Sequence, residues 1–160
     1  MLTPAPVQTD YIRYQLPAQN GMLASSINYS ADTRIVEVVS GGATAIPFGR
    51  AVSQGVKPKG CHLGGTAFVG LSRADPTVAR SETLPIDEYP ENDNAGILVT
   101  GDLWVIVAGD VTAGQSIHYN TTDGKLSAAG GTAIDSSRWM TTATSGHLAV
   151  ARLGNIAGKA

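Results

Sequence analysis

The sequence predicts an all-β domain, an antiparallel β-sandwich of jelly-roll type, with a small β-barrel as the alternative. Three observations carry this. From Arg34 onward, short β-branched runs are separated by clusters of Gly, Asp, Asn and Pro. The runs recur closely along the chain, as they do in sandwiches and barrels. No segment carries an apolar stripe at helical spacing.

Residues 1–33 come first and show neither period. Pro4, Pro6 and Pro17 stiffen this stretch, and Asp10, Arg13 and Asp32 are its charges. It carries Tyr11, Tyr14 and Tyr29 beside Leu2, Ile12, Leu16, Leu23 and Ile27. Disordered tails are usually highly charged and poor in aromatics, so this composition predicts an extended arm that lies on the domain or on a neighbouring subunit. A β-domain over 34–160 should follow. Its candidate strands are 34–39, 45–53, 67–72, 96–100, 103–107, 116–120, 124–127, 137–142 and 147–153. Gly101-Asp102, Thr122-Asp123-Gly124 and Thr144-Ser145-Gly146 have the composition of hairpin turns. The run Leu103-Trp104-Val105-Ile106-Val107 is apolar on both faces, which suits a central strand covered on both sides. Residues 81–94 hold five of the thirteen acids, Glu82, Asp87, Glu88, Glu91 and Asp93, together with Pro85, Tyr89 and Pro90. Such a segment should project as a loop and stay out of the sheet.

Composition narrows the functional classes. The chain has 160 residues, of which 42% are hydrophobic and only 15% charged, against about 25% charged in typical domains. Its surface is therefore neutral. Eleven Lys and Arg against thirteen Asp and Glu cannot assemble the basic face that phosphate backbones require, so nucleic acid is not an expected partner. The longest apolar run, 103–108, is too short to span a bilayer, and the first twenty residues lack the pattern of a signal peptide. No membrane partner is expected, and the chain is expected to be made and kept in the cytoplasm. Lone Cys61 forms no internal disulfide. The sequons at Asn28 and Asn120 carry no meaning without export.

Catalytic chemistry is not expected either. Metal ligands are limited to His62, His118, His147 and Cys61, and adjacent Cys61 and His62 would point to opposite faces of a strand. The acidic loop lacks the ligand order of an EF-hand. Gly70-Leu71-Ser72-Arg73-Ala74 departs from the nucleophile elbow at its last position. Gly41-Gly42 and Gly64-Gly65 lack the remainder of a phosphate loop. The turn at Gly109-Asp110-Val111-Thr112-Ala113-Gly114-Gln115 is similar to one in biotinyl and lipoyl carriers, but no modifiable Lys motif accompanies it. The expectations are thus no enzyme, no metal and no cofactor.

Five stretches carry a family resemblance. They are Asp32-Thr33-Arg34-Ile35-Val36-Glu37, Ala45-Ile46-Pro47-Phe48-Gly49-Arg50-Ala51-Val52, Gly101-Asp102-Leu103-Trp104-Val105, Ala113-Gly114-Gln115-Ser116-Ile117-His118-Tyr119, and Ser137-Arg138-Trp139 with Leu148-Ala149-Val150. In this order, from Ile27 to Leu153, the chain resembles the phage structural cement proteins of short-tailed phages. The resemblance implies a jelly-roll-like domain on the capsid exterior that clamps adjacent major capsid proteins as a symmetric oligomer, a dimer before a trimer. It implies no catalytic residue and no cofactor, and it leaves the first twenty residues unplaced.

The residues agree with that role. Pro47 cannot donate to a ladder, so its strand should lie at an edge where another chain can add. An arm of about 30 residues at roughly 3.3 Å each reaches on the order of 100 Å. The expected partner-binding residues are therefore Tyr11, Ile12, Tyr14 and Leu16 in the arm, Pro47 and Phe48 at the edge, and Tyr89 in the acidic loop. A carbohydrate-binding sandwich using Trp104, Trp139 and tyrosines is the alternative, although core packing is the better expectation for both tryptophans. A small hydrolase lacks an evident nucleophile and base.

Overall fold

A computed structural model describes residues 18–39, 42–75 and 87–154. In chain order the strands are β1 (Ser30–Val36), β2 (Ala45–Pro47), β3 (Ala51–Gln54), β4 (Gly60–Leu63), β5 (Phe68–Ser72), β6 (Glu88–Pro90) and β7 (Asn94–Ile106). After these come β8 (His118–Tyr119), β9 (Leu126–Ser127), β10 (Thr132–Ala133), β11 (Ser137–Trp139) and β12 (Leu148–Leu153).

Five strands close on themselves. β1 pairs with β7, β7 with β5, β5 with β3, β3 with β4, and β4 returns to β1. The all-β expectation stands, and the small barrel is what the pairing builds; it shows no jelly-roll sandwich. Nor is the barrel purely antiparallel, because β1 and β4 run parallel, with Ile35 opposite Gly60 and Val36 opposite Cys61. Closure leaves the five-strand wall without edges. Beyond the barrel β7 pairs with β12, which pairs with β11, while β10, β8 and β9 form a small second sheet and β2, among the described residues, pairs only with β6.

Alternation divides the apolar residues between two cores. Val36, Val52, Cys61, Ala95 and Ile97 share one, to which the β2–β6 pair adds Ile46, Tyr89 and the following Phe48. Their chain neighbours Ala51 and Leu98, with Leu71, face the other way and join Leu103, Val105, Tyr119, Leu126 and Trp139. Ile97 and Leu98 are both fully buried yet belong to different cores, as the period of two along a strand requires.

Gly101-Asp102 is not a hairpin turn. Thirteen residues run through it as one strand, whose first half pairs with β1 and β5 and whose second half pairs with β12. Gly101 has φ 129° and approaches Tyr29 so closely that a Cβ would stand 2.7 Å from the Tyr29 Cβ. Glycine here lets the strand leave the barrel wall. The segment 103–107 is covered on one face only: Leu103, Val105 and Val107 are buried, Trp104 is half-buried and Ile106 is 47% exposed.

The predicted strand 45–53 divides into β2 and β3, separated by a turn at Phe48-Gly49. The expected hairpins at 122–124 and 144–146 are present, joining β8 to β9 and β11 to β12. Of the acidic loop, residues 81–86 lie outside the described residues, but Glu88, Tyr89 and Pro90 form β6 and Asn94 opens β7. Proline did not exclude this stretch from a sheet because the pair is two-stranded, so each strand has an unpaired side. Pro47 sits opposite Glu88, and Pro90 opposite Ala45. β1 begins at Ser30, and before it residues 21–24 hydrogen-bond along β7, from Gly21 N to Trp104 O (2.7 Å), Trp104 N to Met22 O (2.8 Å) and Ala24 N to Asp102 O (2.9 Å). The described part of the expected arm is thus joined to the domain.

Candidate interaction surface

Among the described residues, no three His, Cys, Asp or Glu side chains gather so as to hold a metal ion. Cys61 is buried, and burial pushes its thiol up to about 11, so it remains protonated at neutral pH. His62 faces away from Cys61, whose side chain joins the barrel core. The geometry that stands out is a surface.

The first part is the connection between β3 and β4, residues 55–60, Gly-Val-Lys-Pro-Lys-Gly. Both carboxylate oxygens of Glu37 hold it, accepting from Val56 N at 2.7 Å and Lys57 N at 2.9 Å. The Gln54 amide donates to Lys57 O at 2.8 Å and to the carbonyls of Gly55 and Pro58 at 3.3 Å. Arg34 in turn donates to Gln54 Oε1. A Cβ on Gly55 or Gly60 would stand 2.3 Å or 1.9 Å from a Glu37 carboxylate oxygen, so glycine at both ends makes room for the clamp. At its apex Val56 is 96% exposed. Ile35, Val38 and Val39, flanking Glu37 in sequence, are exposed as well.

Charges surround these apolar side chains. Lys59 Nζ lies 2.9 Å from Asp32, whose carboxyl is held below its usual range by that hydrogen bond, with Arg34 Nε at 3.3 Å adding to the effect. Lys57 has no ion pair among the described residues closer than 4.0 Å. The Lys57 and Val56 amides, opposed by some desolvation, hold Glu37 below the ordinary 4.5. A carboxyl depressed in the folded state adds stability above its unfolded value, and this is lost as pH falls through the folded value. The Val56 and Lys57 amide resonances should therefore titrate together with a midpoint below 4.5; a midpoint at or above it would mean that the clamp does not form in solution.

The second part is the face along residues 18–29. Asn20 ties it down, donating from Nδ2 to Phe48 O at 2.8 Å and accepting at Oδ1 from Ile106 N at 3.0 Å. Beside it a cavity of about 480 Å³ is lined by Met22, Leu23, Phe48, Ala74 and Arg73 among others. Met22, Ile27 and Tyr29 are exposed.

Tyr11, Ile12, Tyr14 and Leu16 lie outside the described residues. Pro47 is at an edge, half-buried. Phe48 and Tyr89 are core side chains, 4% and 0% exposed, with ring centroids 5.0 Å apart in an edge-to-face arrangement. Burial raises the Tyr89 phenol to about 12, and its hydroxyl donates to Arg73 O. Any effect these two rings have on a partner passes through the backbone they fix. Sequence reasoning missed the 55–60 loop. The available signal is glycine at both ends of a short Lys-Pro-Lys run. A sugar platform would need exposed ring faces, and Trp139 is fully buried.

Comparison with known proteins follows from this geometry. The model of a family described as "Structural cement protein (E217 gp24/Pam3 gp6)" matches residues 7–154. That span takes in residues 7–20, which the resemblance had left unplaced. Comparison with curated protein sequences gives no match. Among solved structures, a chain of "The capsid of Myoviridae Phage XM1" is similar in fold, with a TM-score of 0.66 at 10% identity, covering 94% of this chain and 99% of that one. The head fiber gp8.5 N base of bacteriophage phi29 gives a TM-score of 0.46 at 12% identity, over 79% of this chain and 94% of that one.

Proposed function

Since this chain belongs to the phage structural cement protein family, a non-enzymatic family of capsid components, we propose that it sits on the outside of a tailed-phage head and clamps adjacent major capsid protein subunits. The family match over 7–154 is the observation that carries this reading. A sequence with few charges and exposed apolar side chains, Val56 on a loop whose backbone is held by hydrogen bonds among them, supports it, because exposed apolar groups mark surfaces that associate. The same reading includes self-association as a closed symmetric dimer, in which each copy would engage more than one capsid subunit and gain avidity. Light scattering on the purified chain should give two copies per particle, and a monomer throughout the micromolar range would remove this part.

The N-terminal segment is proposed to extend the clamp through Tyr11, Ile12, Tyr14 and Leu16. Truncation should stop before Ala18, because Asn20 fastens Phe48 and Ile106 and its loss would disturb the domain itself. A chain lacking residues 1–17 should retain its β circular dichroism while its occupancy on heads assembled without cement falls at least tenfold. Equal occupancy of truncated and full-length chains would show that the domain alone makes the attachment.

A further inference from the structure

We propose that the loop 55–60 is the contact by which the barrel seats on its capsid partner, Val56 entering a shallow apolar depression rimmed by carboxylates. This rests on the cement reading and adds where the partner binds and what chemistry it presents. A single exposed valine is ordinary on a protein surface. Here the barrel commits Glu37, Gln54 and Arg34, and glycine at 55 and 60, to fixing one short loop whose apex touches almost nothing, at 96% exposure. Barrel side chains hold the Val56 and Lys57 amides and the Gly55, Lys57 and Pro58 carbonyls, while Gly55 N and Gly60 N bond within the loop and Lys59 O accepts from Ile35 N. Fixing a contact before association lowers the ordering cost that binding must overcome.

Charge specifies the partner further. The chain carries a net charge of −2, yet this loop carries Lys57 and Lys59 close to Val56 in sequence, with the Lys59 side chain 64% exposed. Asp32 offsets Lys59 and Arg34 in part, and both Glu37 oxygens are taken by backbone amides. Lys57 and Lys59 thus flank Val56 as rim cations around an apolar centre. A complementary surface has an apolar floor and acidic edges.

Heads assembled without cement protein, titrated with the full chain, supply the test. Val56→Asp changes a side chain that packs on nothing, so its melting curve should match that of the unmodified chain while its affinity for heads falls at least tenfold. Lys57→Glu should weaken binding and flatten its dependence on salt. Ala129→Asp, an equally polar change at an exposed position of the β9–β10 connection, should leave affinity unchanged. If unmodified chain binds and Val56→Asp binds equally well, the loop assignment is wrong and the cement reading stands. If Val56→Asp abolishes self-association but not head binding, the loop lies between copies and the assignment is again overturned. Failure of the unmodified chain to bind overturns the cement reading and this one together.

Discussion

Replacing Trp139 with alanine should cost the domain about 3–5 kcal/mol, the range for removing a buried aromatic from a packed core. Trp139 is fully buried in the larger core, where it packs among Leu103, Val105 and Leu126, and its indole Nε1 donates to Ser127 O at 3.2 Å. The substitution removes the largest fully buried side chain and leaves the Ser127 carbonyl without this donor. Domains of this kind are stable by roughly 5–15 kcal/mol, so the variant should be near the edge of folding at ambient temperature. Urea unfolding followed by far-ultraviolet circular dichroism reads the effect directly. Trp139→Phe, which keeps most of the volume and loses the hydrogen bond, should fall between the two. A midpoint for the alanine variant within error of the parent would show that β11 does not pack as described.

Gly70→Val should prevent the barrel from closing. Gly70 lies on β5 opposite Val52 of β3, and a Cβ there would stand 2.3 Å from Leu98 O and 2.7 Å from Ile97 Cγ2. The obstacle is backbone of β7, which cannot swing aside as a side chain can. Overpacking a core costs about 1–3 kcal/mol when side chains can shift, and more when the backbone must. The expected result is a chain that loses its cooperative thermal transition and much of its soluble yield. Gly109→Ala provides the control: nothing lies within 4 Å of a Cβ there, so its stability should stay within about 0.5 kcal/mol of the parent. A cooperative, parent-like melt for Gly70→Val would contradict the β5–β7 closure.

The sequence revealed the strand content and most strand positions because β-branched runs between turn residues report local geometry. It did not reveal closure, which depends on pairing between distant residues: β1 meets β7 through Asp32 and Ile97, and no local pattern records that. β4 escaped notice because Gly60-Cys61-His62-Leu63 contains no β-branched residue. Gly101 was read as a turn because glycine followed by aspartate is common in hairpins, whereas here it bends a strand that continues. Tyr89 was hidden inside an acidic stretch, and only the β2–β6 pairing shows that it points inward among Ile46 and Phe48.

The interaction surface was harder to read for a related reason. An arm bearing three tyrosines stands out in composition, while a clamp made by Glu37 on amides 19 and 20 residues away does not. The edge assignment for Pro47 holds for β2, since a missing amide hydrogen is a local property, but not for the rest of 45–53, because β3 is paired on both sides, with β4 and β5. That of Phe48 as a contact residue rested on adjacency alone, and the ring is buried.

The central claim is that this chain binds assembled heads and stabilises them. The most direct measurement is the temperature at which heads assembled without cement protein rupture, recorded by light scattering or calorimetry with and without a saturating amount of the purified full-length chain. The account predicts saturable binding with a defined number of copies per head and a rupture temperature several degrees higher than that of bare heads. Binding that never saturates, or full occupancy with no change in rupture temperature, would contradict it.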